Sequence, residues 1–500
     1  MRIKLNHHIV YSSSLLLAAG VVLTAAIALP ANASELSAAK NSKKTSDSAS
    51  ASANNKQAAW GTYQKPFSAS SPWNSRPVNP AFGDFVIPKS TYSPGVAGGE
   101  WSTGVFLANA GDAPMTVTGL PKTKGLWDPD AEAFHDVTVP RWPSDVVAAS
   151  ASDGHADIVD PVTGIVHSFW QLKKVDGKWV AAQYAWTRID GRGWGDPAHY
   201  FQGSRAAGVP TAAGLIRKHE VNDGDTMYRH ALAMSLTFNA LSSNPTYVFP
   251  ATSADTNAAS TNTGKIPEGA LMMLPASYDT QKIVNPDLRK VAETLKTYGA
   301  YVVDRNFGTP FFIYVENGAG FDLHKGGWNK IVADDLERMR FAMRQVVSVQ
   351  SWVDGNEKPV VPQKKFNLLS MRGPWQLPDG TTAGNFDTWQ QAVLFPATST
   401  RITQINYSSQ GLHPLAWIGP EVGKTYRITA QASGDAKLRL QVREPSASSV
   451  SFDSGELKNG ESKTFNWPSK TAIVTVHAIS GVGGPSTVRG ELLLQDGSNR

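Results

Sequence analysis

No cysteine occurs in the 500 residues of this chain. Without disulfides or thiolate zinc sites, every folding unit has to be held by apolar burial, so each unit has to be large enough to close its own core. The opening of the chain makes this requirement sharper. Arg2 and Lys4 form a short basic start, Leu15 to Leu29 is almost wholly apolar, Pro30 ends the run, and Ala31-Asn32-Ala33 offers small residues for a signal peptidase. This pattern predicts a signal peptide over 1–33, cleaved after Ala33. The apolar run is about 15 residues, shorter than the roughly 20 that a spanning helix needs. A secreted mature protein, extracellular or periplasmic and without a membrane anchor, is expected.

The formal charge is +5, and Arg2 and Lys4 belong to the signal, which leaves about +3 for the mature chain. That excess is too small to argue for nucleic acid. The 15 tryptophans say more. Most belong in cores, but in β-rich secreted proteins the indole also offers an apolar face to sugar rings.

Composition divides the chain. Residues 34–59 are mainly Ser, Ala, Asn and Lys and contain no aromatic residue, which predicts a disordered tether. Order is expected from Trp60, with a main domain over 60–353. Two prolines and several charges over 354–365 read as a linker. From 366 to 498 the pattern is strands alone, among them Tyr426 to Ala430, Leu438 to Val442, Ser462 to Phe465 and Ala472 to His477. The fold class expected is a β-rich α+β main domain followed by a C-terminal antiparallel β-sandwich, jelly-roll-like and a candidate carbohydrate-binding module.

Within the main domain, Asp157 to Leu172 and Trp179 to Ile189 read as paired strands around an Asp176-Gly177 hairpin signal. Ala231 to Phe238, Gly269 to Leu274, Tyr301 to Val303 and Phe311 to Val315 read as strands. Helices are expected at Thr211 to Lys218, after Pro286, and over Ile331 to Val347.

The densest polar cluster is Asp153-Gly154-His155-Ala156-Asp157-Ile158-Val159-Asp160. On a strand, alternation would put Asp153, His155 and Asp157 on one face. A histidine beside carboxylates suits proton transfer, while Asp153 and Asp160 also suit turn positions. His230 stands at the mouth of an apolar strand beside Arg229, and Asp304 and Arg305 follow the strand at Tyr301. The candidate catalytic set is Asp153, His155, Asp157, His230 and Asp304, with Asp160 as a further carboxylate. Trp170, Gln171, Trp186, Arg229 and Arg305 are the candidate substrate contacts, with Trp194 in the same candidate platform. No metalloprotease helix, serine elbow, phosphate loop or calcium loop is present, and neither a metal nor a cofactor is expected.

The run from Asp153 to Trp170 resembles a widespread, largely uncharacterised family of secreted bacterial and fungal proteins. Its members carry Asp-x-His-x4-Asp-x-x-Thr followed by an aromatic pair. Gly214-Leu215-Ile216-Arg217 with Glu220, Arg229-His230-Ala231-Leu232, Pro267-Glu268-Gly269, and Leu295 with Tyr298-Gly299 and Asp304 are similar to further motifs in the same order. The resemblance covers about Pro66 to Asn317 and implies a shared fold and site more than a named activity. Ser168 stands where the family usually has a glutamate.

The function expected is a secreted carbohydrate-active enzyme that cleaves a polysaccharide, a glycoside hydrolase in the first instance. A polysaccharide lyase acting on a uronate polymer by β-elimination is the alternative, with His155 or His230 as base and Arg229 or Arg305 neutralising the carboxylate. A non-catalytic glycan-binding or cell-envelope protein is the third reading. Limited proteolysis of the mature protein is expected to cut first between Ser34 and Ala59, at Lys40, Lys43, Lys44 or Lys56. First cuts inside the main domain would instead show that this segment is docked.

Overall fold

Alternation of side chains along the central strands decides the layering. In Leu232–Thr237, Leu232, Met234 and Leu236 enter one core, while Ala233 enters another. Ala300 and Val302 face the first core, and Tyr301 and Val303 face the second. Phe311 and Ile313 divide from Phe312 and Tyr314 in the same way. A sheet buried on both faces needs a layer on each side.

The computed structural model describes residues 59–495, except 197–198, 200, 363–366, 370, 374, 378, 380–385, 407–418 and 447. The expected signal and nearly all of the expected tether lie outside the described residues, as does 363–365 of the expected linker. No described helix is long and apolar enough to cross a membrane.

The central sheet has seven strands in the order Ala81–Phe82, Arg344–Ser348, Leu271–Met273, Ala300–Asn306, Leu232–Thr237, Phe311–Tyr314, Gly95–Ala97. The neighbours Leu232–Thr237 and Ala300–Asn306 run parallel. Helices Pro286–Thr297 and Lys330–Ala342 cover one face through Leu288, Val291, Leu295, Val332, Leu336 and Met339. Asn285 caps the first by accepting from the Leu288 N–H at 3.0 Å, with Pro286 at its first turn, and Asn329 caps the second.

The other face meets a six-stranded sheet in the order Gly104–Leu107, Ala156–Asp160, Ile165–Trp170, Gln183–Arg188, Leu126–Asp128, Ala133–His135. Val105, Val159 and Val166 share a core there with Trp73, Trp194 and Tyr301. Trp73 stacks on Trp194 at 5.3 Å, and both meet Tyr301 edge-on. The far side of the six-stranded sheet shares a third core with a four-stranded sheet that contains Met115–Gly119 and Lys178–Ala181.

Several expected elements have other bounds. The expected strand Asp157 to Leu172 is a hairpin of two, Ala156–Asp160 and Ile165–Trp170. The Asp176-Gly177 turn joins only Lys173–Val175 to Lys178–Ala181, with both turn residues at positive φ. Thr211 to Lys218 is turn, not helix. Gly214 there has φ +65°, and a Cβ would lie 2.3 Å from the Trp73 ring, so close packing sets the backbone. The last helix ends at Ala342, and the chain continues as strand Arg344–Ser348.

The expected linker begins too early. Pro359–Val360 pairs with Ser351–Val353, which pairs with Arg76–Val78. Trp60 donates its indole N–H to Asn356 at 2.8 Å, and Arg76 pairs with Glu357.

Beyond it lie two five-stranded antiparallel sheets around one core of Tyr426, Ile428, Leu438, Leu440, Val476, Val488 and Leu492, an arrangement compatible with a β-sandwich. It is joined to the six-stranded sheet by side chains. Trp186 donates to Thr388 at 3.1 Å, Trp389 to the Tyr184 hydroxyl at 3.1 Å, and Gln391 to Asp130 at 3.0 Å.

A chain ending after Asp354 is expected to be less stable than one ending after Pro362, by about 0.5–1.5 kcal/mol for the strand pairing and exposed bonds it lacks. Thermal melts of the two truncations check this, and equal midpoints would show that 355–362 holds nothing.

Candidate functional site

A bulge sets the site. Met234 is level with Val302, but Ser235 is level with Asp304, so one residue of Ala300–Asn306 is left unmatched. Strict alternation would put Asp304 with Ala300 and Val302 on the helix side. The extra residue turns it to the side of Ser235 and Tyr314, between the two large sheets. This is the carboxyl end of the central parallel pair.

Arg205 holds Asp304 there. Its side chain is 1% exposed, its Nη1 donates to Asp304 Oδ2 at 3.1 Å, and its guanidinium lies over the Tyr314 ring at 3.8 Å. Nε and Nη2 of Arg205 are buried without an acceptor. Asp304 Oδ1 accepts from the Arg305 N–H at 3.0 Å, and its side chain keeps 18% exposure. Burial, then the Asp255 carboxylate, push the Asp304 carboxyl up to about 7, against the pull of Arg205, and Asp153 adds to the rise.

Two further carboxyls complete the cluster. Glu268 is fully buried, and its Oε1 accepts from the Asp255 N–H at 3.3 Å. Burial and then Asp255 push Glu268 well above the usual carboxylate range, and burial raises Asp255 as well. Asp255 Oδ2 and Glu268 Oε2 have no donor outside this pair. Two adjacent carboxyls of this kind hold a proton between them. Arg305 limits the charge, with Nη2 2.7 Å from Asn257 Oδ1 and 3.6 Å from Asp255 Oδ1.

Asp153 joins this cluster from the six-stranded sheet, but from a turn, since the strand begins only at Ala156. Its carboxylate accepts from the half-buried Trp170 indole at 3.2 Å. Gln171 follows Trp170, half-buried, with φ +56°. His155 is buried, its Nδ1 3.4 Å from both the Phe169 carbonyl and Ser204 Oγ. Burial, with Arg205 adding to it, lowers its pKa to about 3, so the ring stays neutral.

The remaining expected residues are placed elsewhere. Asp157 is fully buried, accepting from Ser168 Oγ at 2.6 Å and the Ala212 N–H at 2.7 Å, so it ties the sheet to the turn at 211–212. Asp160 pairs with Arg141 at 2.9 Å and closes the next hairpin turn. Trp194 is wholly buried and Trp186 nearly so, which removes both from a sugar platform. Arg229 is exposed and pairs with Asp225 at 3.3 Å.

The expected single cleft is divided. His230 and Tyr298 line a separate cavity, and Asp304 lies six residues beyond Tyr298 on the neighbouring strand. At about 3.3 Å per residue the two ends are roughly 20 Å apart. His230 Nδ1 donates to the Ala231 carbonyl at 2.8 Å, and Nε2 faces Glu220 at 3.2 Å. Burial opposes protonation of His230, but Glu220 outweighs it and the pKa is raised.

Arg205, Asp255 and Tyr314 went unnoticed in the sequence. Asp255 stands in the bland run Thr252-Ser253-Ala254-Asp255-Thr256-Asn257, and Arg205 in a loop. Glu268, in Pro267-Glu268-Gly269 just before an apolar strand, carried the only visible signal. Among the described residues no three His, Asp or Glu side chains are grouped as a metal ion would need.

No family model and no curated protein sequence matches the chain. Solved structures match in part. They include the Glycosylation Associate Protein (Gap123) complex from Streptococcus agalactiae, at 16% identity and TM-score 0.17, covering 25% of this chain and 44% of that one. TmCBM61 in complex with β-1,4-galactotriose matches at 11% identity and TM-score 0.14, covering 21% of this chain and 70% of that one. The N-terminal endo-1,4-β-D-xylanase 10B of Clostridium thermocellum, complexed with xylohexaose, matches at 11% identity and TM-score 0.13, covering 28% and 26%. Scores this low carry no argument about this chain.

Because the folded His230 pKa is raised, its stabilisation is fully present below the unfolded value of about 6.5 and is lost as pH rises through the folded value. His230→Ala is therefore expected to cost about 1–3 kcal/mol at pH near 6 and less at pH near 9. Denaturant unfolding at the two pH values checks this, and an equal cost at both would remove the His230–Glu220 ion pair as its source.

Proposed function

We propose that this chain is an exported carbohydrate-active enzyme that cleaves a polysaccharide as a glycoside hydrolase, with Asp304 as the general acid. The observation that carries the reading is the Asp304 carboxyl, raised to about 7 yet still partly open to water. A carboxylic acid still protonated near neutral pH can give its proton to a leaving glycosidic oxygen. Hydrolysis needs a second carboxylate to act as nucleophile or to activate water. Asp153 fits that role, since it is half-exposed, on the facing sheet, and near enough to act on Asp304. Asp255 and Glu268, sharing a proton, keep the local field negative and the Asp304 proton in place.

Aromatic side chains surround this end of the sheet. Phe238 and Phe307 follow the two parallel strands, 44% and 82% exposed, and Tyr92 is bound to Gly308 through its N–H. Such faces suit the apolar sides of sugar rings.

One observation favours the lyase reading. Arg205, with Nε and Nη2 unpaired, carries the positive charge that would neutralise a uronate carboxylate. The neutral His155 is close enough to feel the Arg205 charge, but its burial argues against direct contact with a proton on substrate.

Plant, fungal and bacterial polysaccharides incubated with the protein, read by reducing ends and by the ultraviolet absorbance of unsaturated uronates, separate the two chemistries. Asp304→Asn is expected to lower turnover by at least about 100-fold. Wild-type turnover should fall as pH rises above about 7, where Asp304 ionises. Full turnover by Asp304→Asn would sink this assignment.

A further inference from the structure

The junction between the six-stranded sheet and the sandwich is built around a buried histidine. His199 is 6% exposed, and its ring meets the Trp186 ring at a tilt of 34° with centroids 4.3 Å apart. Its Nε2 is 2.5 Å from Asp130 Oδ2. Each of these two partners also bonds to the sandwich. Trp186 donates to Thr388 at 3.1 Å, and Asp130 Oδ2 accepts from Gln391 at 3.0 Å. His199 therefore stands behind two of the side chains that tie the domains together.

The charged groups around it are mostly carboxyls. Asp130 donates its N–H to Asp128 Oδ1 at 2.9 Å, which keeps these two buried aspartates close. Asp128 Oδ2 faces His135 Nε2 at 2.9 Å. Asp196, on the loop of His199, and Asp128 act on the His199 ring together with Asp130. Glu132 feels both Asp130 and Arg372 of the sandwich. With His199 and His135 charged, each buried aspartate has a cation. Without the His199 proton, Asp130 is left with an amide in place of a counter-charge and with a second carboxyl beside it. A buried carboxylate that loses its partner charge is strongly destabilised. The neutral ring also gives up the attraction of a cation for the indole face.

Burial works against a charge on His199, but Asp130 outweighs it, Asp196 and Asp128 add to the effect, and the pKa is raised. The hydrogen bond to Asp128 raises His135 as well. His167, also at the junction, behaves otherwise. It lies 2.8 Å from the Tyr184 hydroxyl, with its ring 5.8 Å from that of Trp389, and burial lowers its pKa to about 4, so it stays neutral above that. The folded pKa of His199 lies above the unfolded value of about 6.5. Its stabilisation is then fully present below about 6.5 and is lost as pH rises through the folded value.

We propose that His199 is a proton-operated latch on the sandwich: with the proton on, it holds Trp186 and Asp130 against Thr388 and Gln391, and with the proton off, the junction loosens and the sandwich moves more freely. The latch is independent of the chemistry at Asp304.

A chain without cysteine takes spin labels only where cysteines are introduced. Val162→Cys with Val482→Cys puts one label on the main domain and one on the sandwich, and Val162→Cys with Val284→Cys puts both on the main domain; all three positions are well exposed. Distances in the full-length protein are read by double electron–electron resonance. The pair across the junction is expected to give a narrow distribution at pH near 6 and a broad one at pH near 9, while the main-domain pair stays narrow at both. His199→Asn should give a broad distribution at both pH values. Asp130→Asn, which removes the carboxylate that holds the proton, should move the midpoint of the change down by about 1–3 pH units, and it decides the matter where His199→Asn fails to fold. The same distribution at both pH values, a pH response kept by His199→Asn, a midpoint unmoved by Asp130→Asn, or broadening of the main-domain pair along with the other would each overturn the proposal.

Discussion

The double burial of the seven-stranded sheet is the constraint from which the rest of this architecture follows. Each strand of its centre places alternate side chains in two different cores. One core is closed by helices Pro286–Thr297 and Lys330–Ala342, the other by a second sheet. The second sheet then has an outer face of its own, which a third sheet covers. A chain with no cysteine achieves this by stacking layers, each supplying the apolar surface the next one needs.

The same layering explains where charge can be tolerated. Between the two large sheets the aromatic group of Trp73, Trp194 and Tyr301 fills the middle. Polar groups are driven to the strand ends, and each end gathers its own cluster: Asp255, Glu268, Asp304 and Arg205 at one, Glu220, His230 and Arg217 at the other. The two behave differently. Carboxyls outnumber cations in the first and hold protons, whereas in the second each carboxylate has a cation and stays ionised. One sheet thus presents an acid at one end and a paired, charged cavity at the other.

Much of the element structure was legible along the chain. Strands at 232–237, 300–306 and 311–314 and the helix after Pro286 follow directly from runs of apolar residues and a capping Asn-Pro. Asp153 and Asp304, picked out as polar residues at strand ends, do reach the same cluster. His230 was chosen by the same rule and fell at the opposite end, because a rule about strand ends does not say which end. Trp186 and Trp194 were read as surface rings, yet packing between layers buried them.

Local periodicity is a property of neighbouring residues, so the sequence by itself determined which segments are strands, which faces are apolar, and that no disulfide holds them. Three things needed the tertiary structure. The bulge opposite Ser235 turns Asp304 between the sheets, and it is visible only in the pairing with another strand. Close approach of Trp73 to Gly214 sets a turn where helical spacing was read. The proton held by Asp304 depends on burial and on Asp255, nearly 50 residues away, in a stretch without any local pattern. Electrostatic shifts of this kind act through space, at distances that sequence separation does not encode.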